Sequence, residues 1–316
     1  MPCQNDMRAS CVYVLSGEGV HSPAVDVESL RASPEWDAVS RAVADALRVD
    51  GVDDLATLLG STLGDHASPL SPCVTVALNV LHASRWRAAG HAPRVVLGHS
   101  VGEIAALHVA GALSLHAAFS IARAVGGIAA RREGAMAHAT ATHDEAARML
   151  AHGDAAAVRV AAINGVVGSD SLSITVCGTR ATVDEWVQAR PGVARLLRPP
   201  RMWHHPVFLE DASAFDDDAR FAMCQREWEA TRTTPWVVSP TTRGVLSRVD
   251  AAHWRAWMTT PVDFEAATRA VAALLATRRA PDDDVAARGG GGCCYLIEMG
   301  AHPVLAATTA ATLVAC

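Results

Sequence analysis

The chain has 316 residues, half of them hydrophobic and 19% charged, with a formal net charge of −6 at pH 7. Such a length holds one large domain with an insertion, or two domains, around a sizeable core. The acidic balance argues against bulk nucleic-acid binding, and no apolar run reaches the 18 or more residues of a membrane-spanning helix.

The N-terminal run MPCQNDMRASC lacks the basic and apolar regions of a secretory signal. A cytoplasmic protein is therefore expected, with neither a membrane nor nucleic acid among its partners. The eight cysteines stand at positions 3, 11, 73, 177, 224, 293, 294 and 316, and none forms a Cys-x-x-Cys pair. No metal site is expected, and most of these thiols read as small core residues. All 27 basic residues are arginine, a compositional bias rather than a chemical signal.

In chain order, Cys11–Leu15 predicts a first strand, followed by the loop Ser16-Gly17-Glu18-Gly19-Val20-His21. Helical patterns run from Glu35 to Ala89, broken near Gly51 and Pro69, with a strongly apolar helix over Pro72–Trp86. Val95–Leu97 predicts a second strand. It ends in Gly98-His99-Ser100-Val101-Gly102 and leads into a helix at Ile104–Ala110. A serine between two glycines at a strand-to-helix turn is the pattern of a nucleophile elbow. The glycines remove the Cβ atoms that so sharp a turn excludes. Ser100 would then stand at a helix N-terminus, where N–H groups and the helix dipole favour a developing oxyanion.

Residues 134 to 200 have a different rhythm. Ala135–Thr140 reads as a strand, and Thr142–His152 as a helix with Thr142 and Glu145 forming a capping box. Val158–Ile163 and Ser171–Val176 are β-branched or alternating strands, Thr182–Arg190 a helix, and Val193–Leu197 a last strand. The order β-α-β-β-α-β is that of a ferredoxin-like unit. Beyond it, Trp236–Ser239 predicts a strand, Asp263–Leu275 an amphipathic helix and Cys294–Glu298 a buried strand. Pro281–Gly292 reads as a surface loop. The expected architecture is α/β: an α/β-hydrolase-like large domain with a parallel sheet, formed by residues 1–132 and 205–316. A ferredoxin-like (βαββαβ) small domain, residues 133–204, is inserted into it.

Three segments carry a resemblance: residues 98–118 (GHSVGEIAALHVAGALSLHAA), Ala162-Ile163-Asn164-Gly165, and Glu298-Met299-Gly300-Ala301-His302-Pro303-Val304-Leu305. The chain resembles the malonyl-CoA:acyl carrier protein transacylases and the acyltransferases of polyketide synthases, almost end to end, as a discrete member. The resemblance implies an acyl-serine intermediate on Ser100 and a histidine base at the return from the small domain. That place reads Trp203-His204-His205-Pro206, so His204 takes the role and His205 is the competing candidate. It implies an oxyanion hole from the backbone N–H groups of Val101 and of Glu18, which stands where the family has glutamine. A carboxylate there disfavours an oxyanion unless it points away or is paired. No bound cofactor is implied; phosphopantetheine enters as the arm of the substrate. The implied partners are an acyl carrier protein and an acyl-CoA or acyl-carrier donor, and a monomer is expected.

The family's members that carry malonyl groups use an arginine 25 residues after the serine to grip the free carboxylate. Val125 stands there. Arg123, two residues earlier, points about 200° away on a helix. A non-malonyl, monocarboxylic acyl group is therefore expected, such as a starter acid or a fatty acyl, aminoacyl or peptidyl unit. His99, Val125, Gly126, Met202 and Trp203 are the expected pocket residues, with Gly126 and Gly127 widening the pocket. Trp257 stands where the family often has asparagine. Arg131, Arg132, Arg195, Arg198 and Arg201 are the expected docking surface for an acidic carrier. An editing hydrolase and a non-catalytic carrier-binding module are the alternatives.

Overall fold

The structure, a computed structural model, describes residues 10–151, 158–198, 201–231, 235–277, 294–300 and 302–315. The predicted loop 281–292 lies outside them. Among the described residues, ten strands form two sheets: β1 (Ser10–Leu15), β2 (Pro93–Gly98), β3 (Ala135–Thr142), β4 (Arg159–Val167), β5 (Ser171–Gly178), β6 (Ala194–Leu196), β7 (Trp236–Ser239), β8 (Gly244–Val245), β9 (Val262–Asp263) and β10 (Cys294–Met299).

The first sheet has the order β10-β1-β2-β7-β8. Its first four strands are parallel, and β8 turns back antiparallel at the edge. Side chains alternate between faces, as a pleated strand requires. Cys11, Tyr13 and Leu15 pack into one core with the helices Trp36–Leu47, Ser71–Ala88, Val101–Val109 and Leu115–Ala130. Val12 and Val14 pack on the other face with Leu97, Val238, Phe264 and Val271. Both faces are covered, which is why these strands read as continuous apolar runs.

Parallel pairing decides where the chemistry lies. Leu15 pairs with Gly98, so the loops after β1 and β2 leave the sheet side by side at its C-terminal edge. The His99 N–H donates to the Leu15 carbonyl at 2.9 Å and joins them directly.

The second sheet has the order β6-β3-β5-β4-β9. Its first four strands are antiparallel and realise the predicted βαββαβ unit, with helices over His143–Ala151 and Arg180–Gln188. The predicted capping box is present: Glu145 N–H donates to Thr142 Oγ1 at 3.2 Å, and Thr142 N–H to Glu145 Oε2 at 3.1 Å.

One connection was not foreseen. The two-residue strand β9 lies beyond the insertion, yet it pairs in parallel with β4 (Ala162 with Val262, Ile163 with Asp263). The C-terminal helix Ala306–Val314 also docks on β4, where Thr312 Oγ1 accepts the Val166 N–H at 3.1 Å. Gly165 lies so close that an added Cβ would sit 3.0 Å from Thr308 and Thr312. The Glu298 carboxylate holds this helix, accepting the N–H groups of Val304 (2.7 Å), Leu305 (3.0 Å) and Ala306 (2.7 Å). These are otherwise unsatisfied donors of a helix start. Glu298→Ala should lower unfolding free energy by about 1–3 kcal/mol, measured by urea denaturation. An unchanged midpoint would remove Glu298 as the clasp of this helix.

Candidate active site

Ser100 has φ 51° and ψ −122° and begins the buried helix Val101–Val109. A left-handed non-glycine residue costs about 1–3 kcal/mol and persists only where its surroundings enforce it. Here the flanking glycines allow it. A Cβ on Gly98 would lie 2.3 Å from the Gly102 carbonyl, and one on Gly102 would lie 2.2 Å from the Leu15 carbonyl. The Trp257 indole N–H then donates to the Ser100 carbonyl at 3.2 Å.

His204 also has positive φ, 55°, and is 3% exposed. Its Nε2 lies 2.6 Å from Ser100 Oγ, and its Nδ1 lies 2.7 Å from the carbonyl oxygen of Trp257. A carbonyl only accepts, so Nδ1 carries the proton and the Nε2 lone pair faces the serine hydroxyl. Burial pushes the His204 pKa down to about 4; the Trp257 carbonyl opposes this and nearby His99 adds to it. The imidazole is thus neutral at neutral pH, and it can take the serine proton. His205 is placed otherwise: its Nδ1 accepts the Val207 N–H at 3.1 Å within the short turn Pro206–Phe208. Among the described residues, the partner that orients His204 is a backbone carbonyl, from the helix Ala251–Thr259.

His99 ties the elbow to the small sheet. Its Nε2–H donates to Asn164 Oδ1 at 2.9 Å, and Asn164 Nδ2 donates to Thr175 Oγ1 at 3.1 Å. The loop after β1 is clamped by Asn79, which accepts the Ser16 N–H at 3.0 Å and donates to the Ser16 carbonyl at 2.9 Å. Among the described residues, neither the Glu18 nor the Val101 N–H has a backbone acceptor outside the regular elements. The Glu18 side chain is satisfied separately: the hydroxyls of Ser71 and Thr75 donate to its two oxygens. It is thus the paired carboxylate that an oxyanion site tolerates.

Glu18, His21 and His66 also gather three potential metal ligands within 4.8 Å. The hydrogen bonds argue against an ion there. His21 Nδ1 accepts the Gly64 N–H at 3.0 Å, so in the neutral ring Nε2 carries the proton, 2.8 Å from Ser71 Oγ. Burial pushes the His21 pKa down to about 4 and keeps the ring neutral. It has no lone pair left to coordinate.

A cavity of about 100 Å³ opens at the serine, walled by Glu18, His99, Ser100, Arg198, Arg201, Trp203 and His204 among others. A larger depression of about 960 Å³ lies between the two helices of the small sheet and contains none of these groups. Of the expected pocket residues, His99 and Trp203 are on the wall. Val125, Gly126 and Met202 are not: Val125 is sealed in the main core. A Cβ on Gly126 would lie 2.1 Å from the Pro69 carbonyl, so this glycine permits close packing and does not widen the pocket. Gly127 lines a separate surface hollow, and Met202 lies under Gly134. Arg123 is paired with Asp50.

The docking surface contracts as well. Arg131 and Arg132 both pair with Asp211, at 3.1 and 2.8 Å. Arg201 is 4% exposed and faces inward. Among the described residues only Arg195 and Arg198 of the five remain exposed without a carboxylate partner. Sequence reasoning missed the part played by Trp257, which it noted only as a departure. It also missed the clamp at Asn79, for which a buried asparagine in an apolar helix was the available signal.

Residues 13–314 match the acyl transferase domain family. The chain belongs to that family. It is 32% identical over 249 residues to the erythronolide synthase EryA2 of Saccharopolyspora erythraea, covering 77% of this chain and 6% of that protein. It is 30% identical over 315 residues to the highly reducing polyketide synthase acrA of Aspergillus aculeatus, covering 92% and 12%. The chain thus spans a small fraction of these relatives. It superposes on a loading acyltransferase from the avermectin modular polyketide synthase with a TM-score of 0.72 and 27% identity, covering 97% of this chain and 91% of that one.

In this acyl transferase domain the burial of His204 has a measurable consequence. A depressed histidine pKa leaves the basic form present above it and removes that form as pH falls through it. Labelling of Ser100 by a fluorophosphonate should fall with a midpoint near pH 4, with circular dichroism showing the fold intact. A midpoint near the ordinary histidine value of about 6.5 would contradict the buried dyad.

Proposed function

We propose that this domain moves an acyl group from a thioester onto the phosphopantetheine thiol of an acyl carrier protein, in polyketide-type biosynthesis. The 2.6 Å contact between Ser100 Oγ and His204 Nε2 carries this reading. Ser100 Oγ attacks the thioester carbonyl as its proton passes to His204 Nε2. The backbone N–H groups of Glu18 and Val101 receive the oxyanion. Collapse breaks the C–S bond, His204 protonates the departing thiolate, and the acyl group rests on Ser100. The carrier thiol then gives its proton to His204, attacks the ester, and leaves with the acyl group as Ser100 regains its proton. The donor is coenzyme A or a second carrier protein, which present the same phosphopantetheine arm.

The acyl group is a short monocarboxylic unit. The position that bears the carboxylate-gripping arginine in malonyl carriers is the apolar Val125, packed in the main core, and the Glu18 carboxylate on the cavity wall disfavours a second negative charge beside it. The cavity of about 100 Å³ is below the roughly 300–1,000 Å³ usual for ligand sites. Its small size favours a short starter acid over a long fatty or peptidyl chain. Arg198 on the cavity wall and the exposed Arg195 three residues before it meet the acidic carrier.

Intact-mass measurement with short acyl-CoA donors tests this. An acyl adduct should form, be absent in Ser100→Ala, and transfer to an added carrier protein. Release as free acid, at the same rate without carrier, would make the protein a hydrolase instead. No adduct with any donor would refute the reading. Reversing Arg195 and Arg198 together to glutamate should raise KM for the carrier about tenfold; an unchanged KM removes them from the docking surface.

A further inference from the structure

Glu103 lies in the first turn of the elbow helix Val101–Val109 and is 1% exposed. No step of the acyl transfer uses it, and a carboxylate so deep is costly unless it is held. Its holders come from elsewhere in the chain. The hydroxyls of Ser239, at the end of β7, and of Thr241 donate to its two oxygens at 2.6 and 3.2 Å. His253 Nε2 lies 3.0 Å from its Oε1. That nitrogen therefore carries a proton, since a bare lone pair would repel a carboxylate. His253 stands in the first turn of the helix Ala251–Thr259, where the Asp250 carboxylate accepts its backbone N–H at 2.8 Å. The ring has no other polar partner among the described residues.

The place of this contact gives it a use. His253 is one helical turn before Trp257 and shares its face, and Glu103 is one turn after Ser100. The Ser100 carbonyl accepts both the Glu103 N–H, at 2.8 Å, and the Trp257 indole N–H, at 3.2 Å. Two rungs thus join the two helices, carboxylate to imidazole and serine carbonyl to indole. The first rung fixes how far along and about its axis the helix presents Trp257, whose carbonyl holds His204 Nδ1. We propose that Glu103 and His253 are positioning residues: their buried contact sets the helix that aims His204 Nε2 at Ser100 Oγ. This rests on the acyl-transfer reading and adds to its machinery. Both ring nitrogens of His204 are already taken, by Ser100 and Trp257, so Glu103 acts through the helix and is not a third member of the dyad.

The test is the rate at which a fluorophosphonate labels Ser100, followed against reagent concentration at neutral pH. His253→Phe keeps the bulk of the ring and removes the contact. It should lower the limiting rate constant about tenfold to a hundredfold, while the half-saturating concentration and the final labelled fraction stay as in wild type. A purely structural role would instead lower the labelled fraction and the melting temperature and leave the rate constant of folded molecules alone. His253→Gln, whose amide N–H can reach the same carboxylate, should restore most of the rate. If His253→Phe does not fold, Glu103→Gln, which keeps oxygen for the hydroxyls and loses the charge, should slow labelling in the same direction. Unchanged rate constants, a loss that His253→Gln does not restore, or a loss confined to the labelled fraction would each overturn the proposal. Wild-type protein that takes no label at all would overturn the acyl-transfer reading beneath it.

Discussion

Ser100 Oγ and His204 Nε2 stand 2.6 Å apart although 104 residues separate them in the chain. Much of the nearby architecture serves to keep them there. Both residues occupy left-handed backbone conformations, which only enforced surroundings sustain. The helix Ala251–Thr259 enforces both at once. The indole of Trp257 holds the serine's carbonyl, and its own carbonyl holds the histidine's Nδ1. A dyad oriented by a carbonyl lacks the counter-ion that a third carboxylate would give. Together with burial, this keeps His204 neutral and ready to accept a proton.

The elbow is also held from below and from the side. Adjacent parallel strands present the loops after β1 and β2 at one edge of the sheet, and His99 bridges to Asn164 on the small sheet. The small sheet is in turn bonded to elements from the end of the chain, through β9 and the C-terminal helix. The cavity walls therefore come from both sheets, and movement of one against the other would change the cavity directly.

Local pattern made much of this legible. The strands at 11–15 and 95–97, the glycine-flanked serine, the capping box at Thr142 and the βαββαβ order all depend on neighbours in sequence. What escaped depends on distant contacts. A two-residue strand such as β9 has no periodicity to read. The Trp257 carbonyl is a backbone group, so no residue type announces it. Arg201 stands in an arginine-rich run that resembles a solvated face, and only its packing over Trp203 and against Ala67 shows that it turns inward. The pocket assigned around Val125 and Gly126 failed for a related reason. Position on a helix says which way a side chain points, but not that Pro69 closes the space in front of it.

The central claim is that Ser100 carries the acyl group in transit. Peptide mapping by mass spectrometry, after brief incubation with a short acyl-CoA donor and an acid quench, tests it most directly. The account predicts the acyl mass on the peptide containing Ser100, and none on that peptide in His204→Ala. An acyl group found on a cysteine or another serine, or on Ser100 regardless of His204, would contradict it.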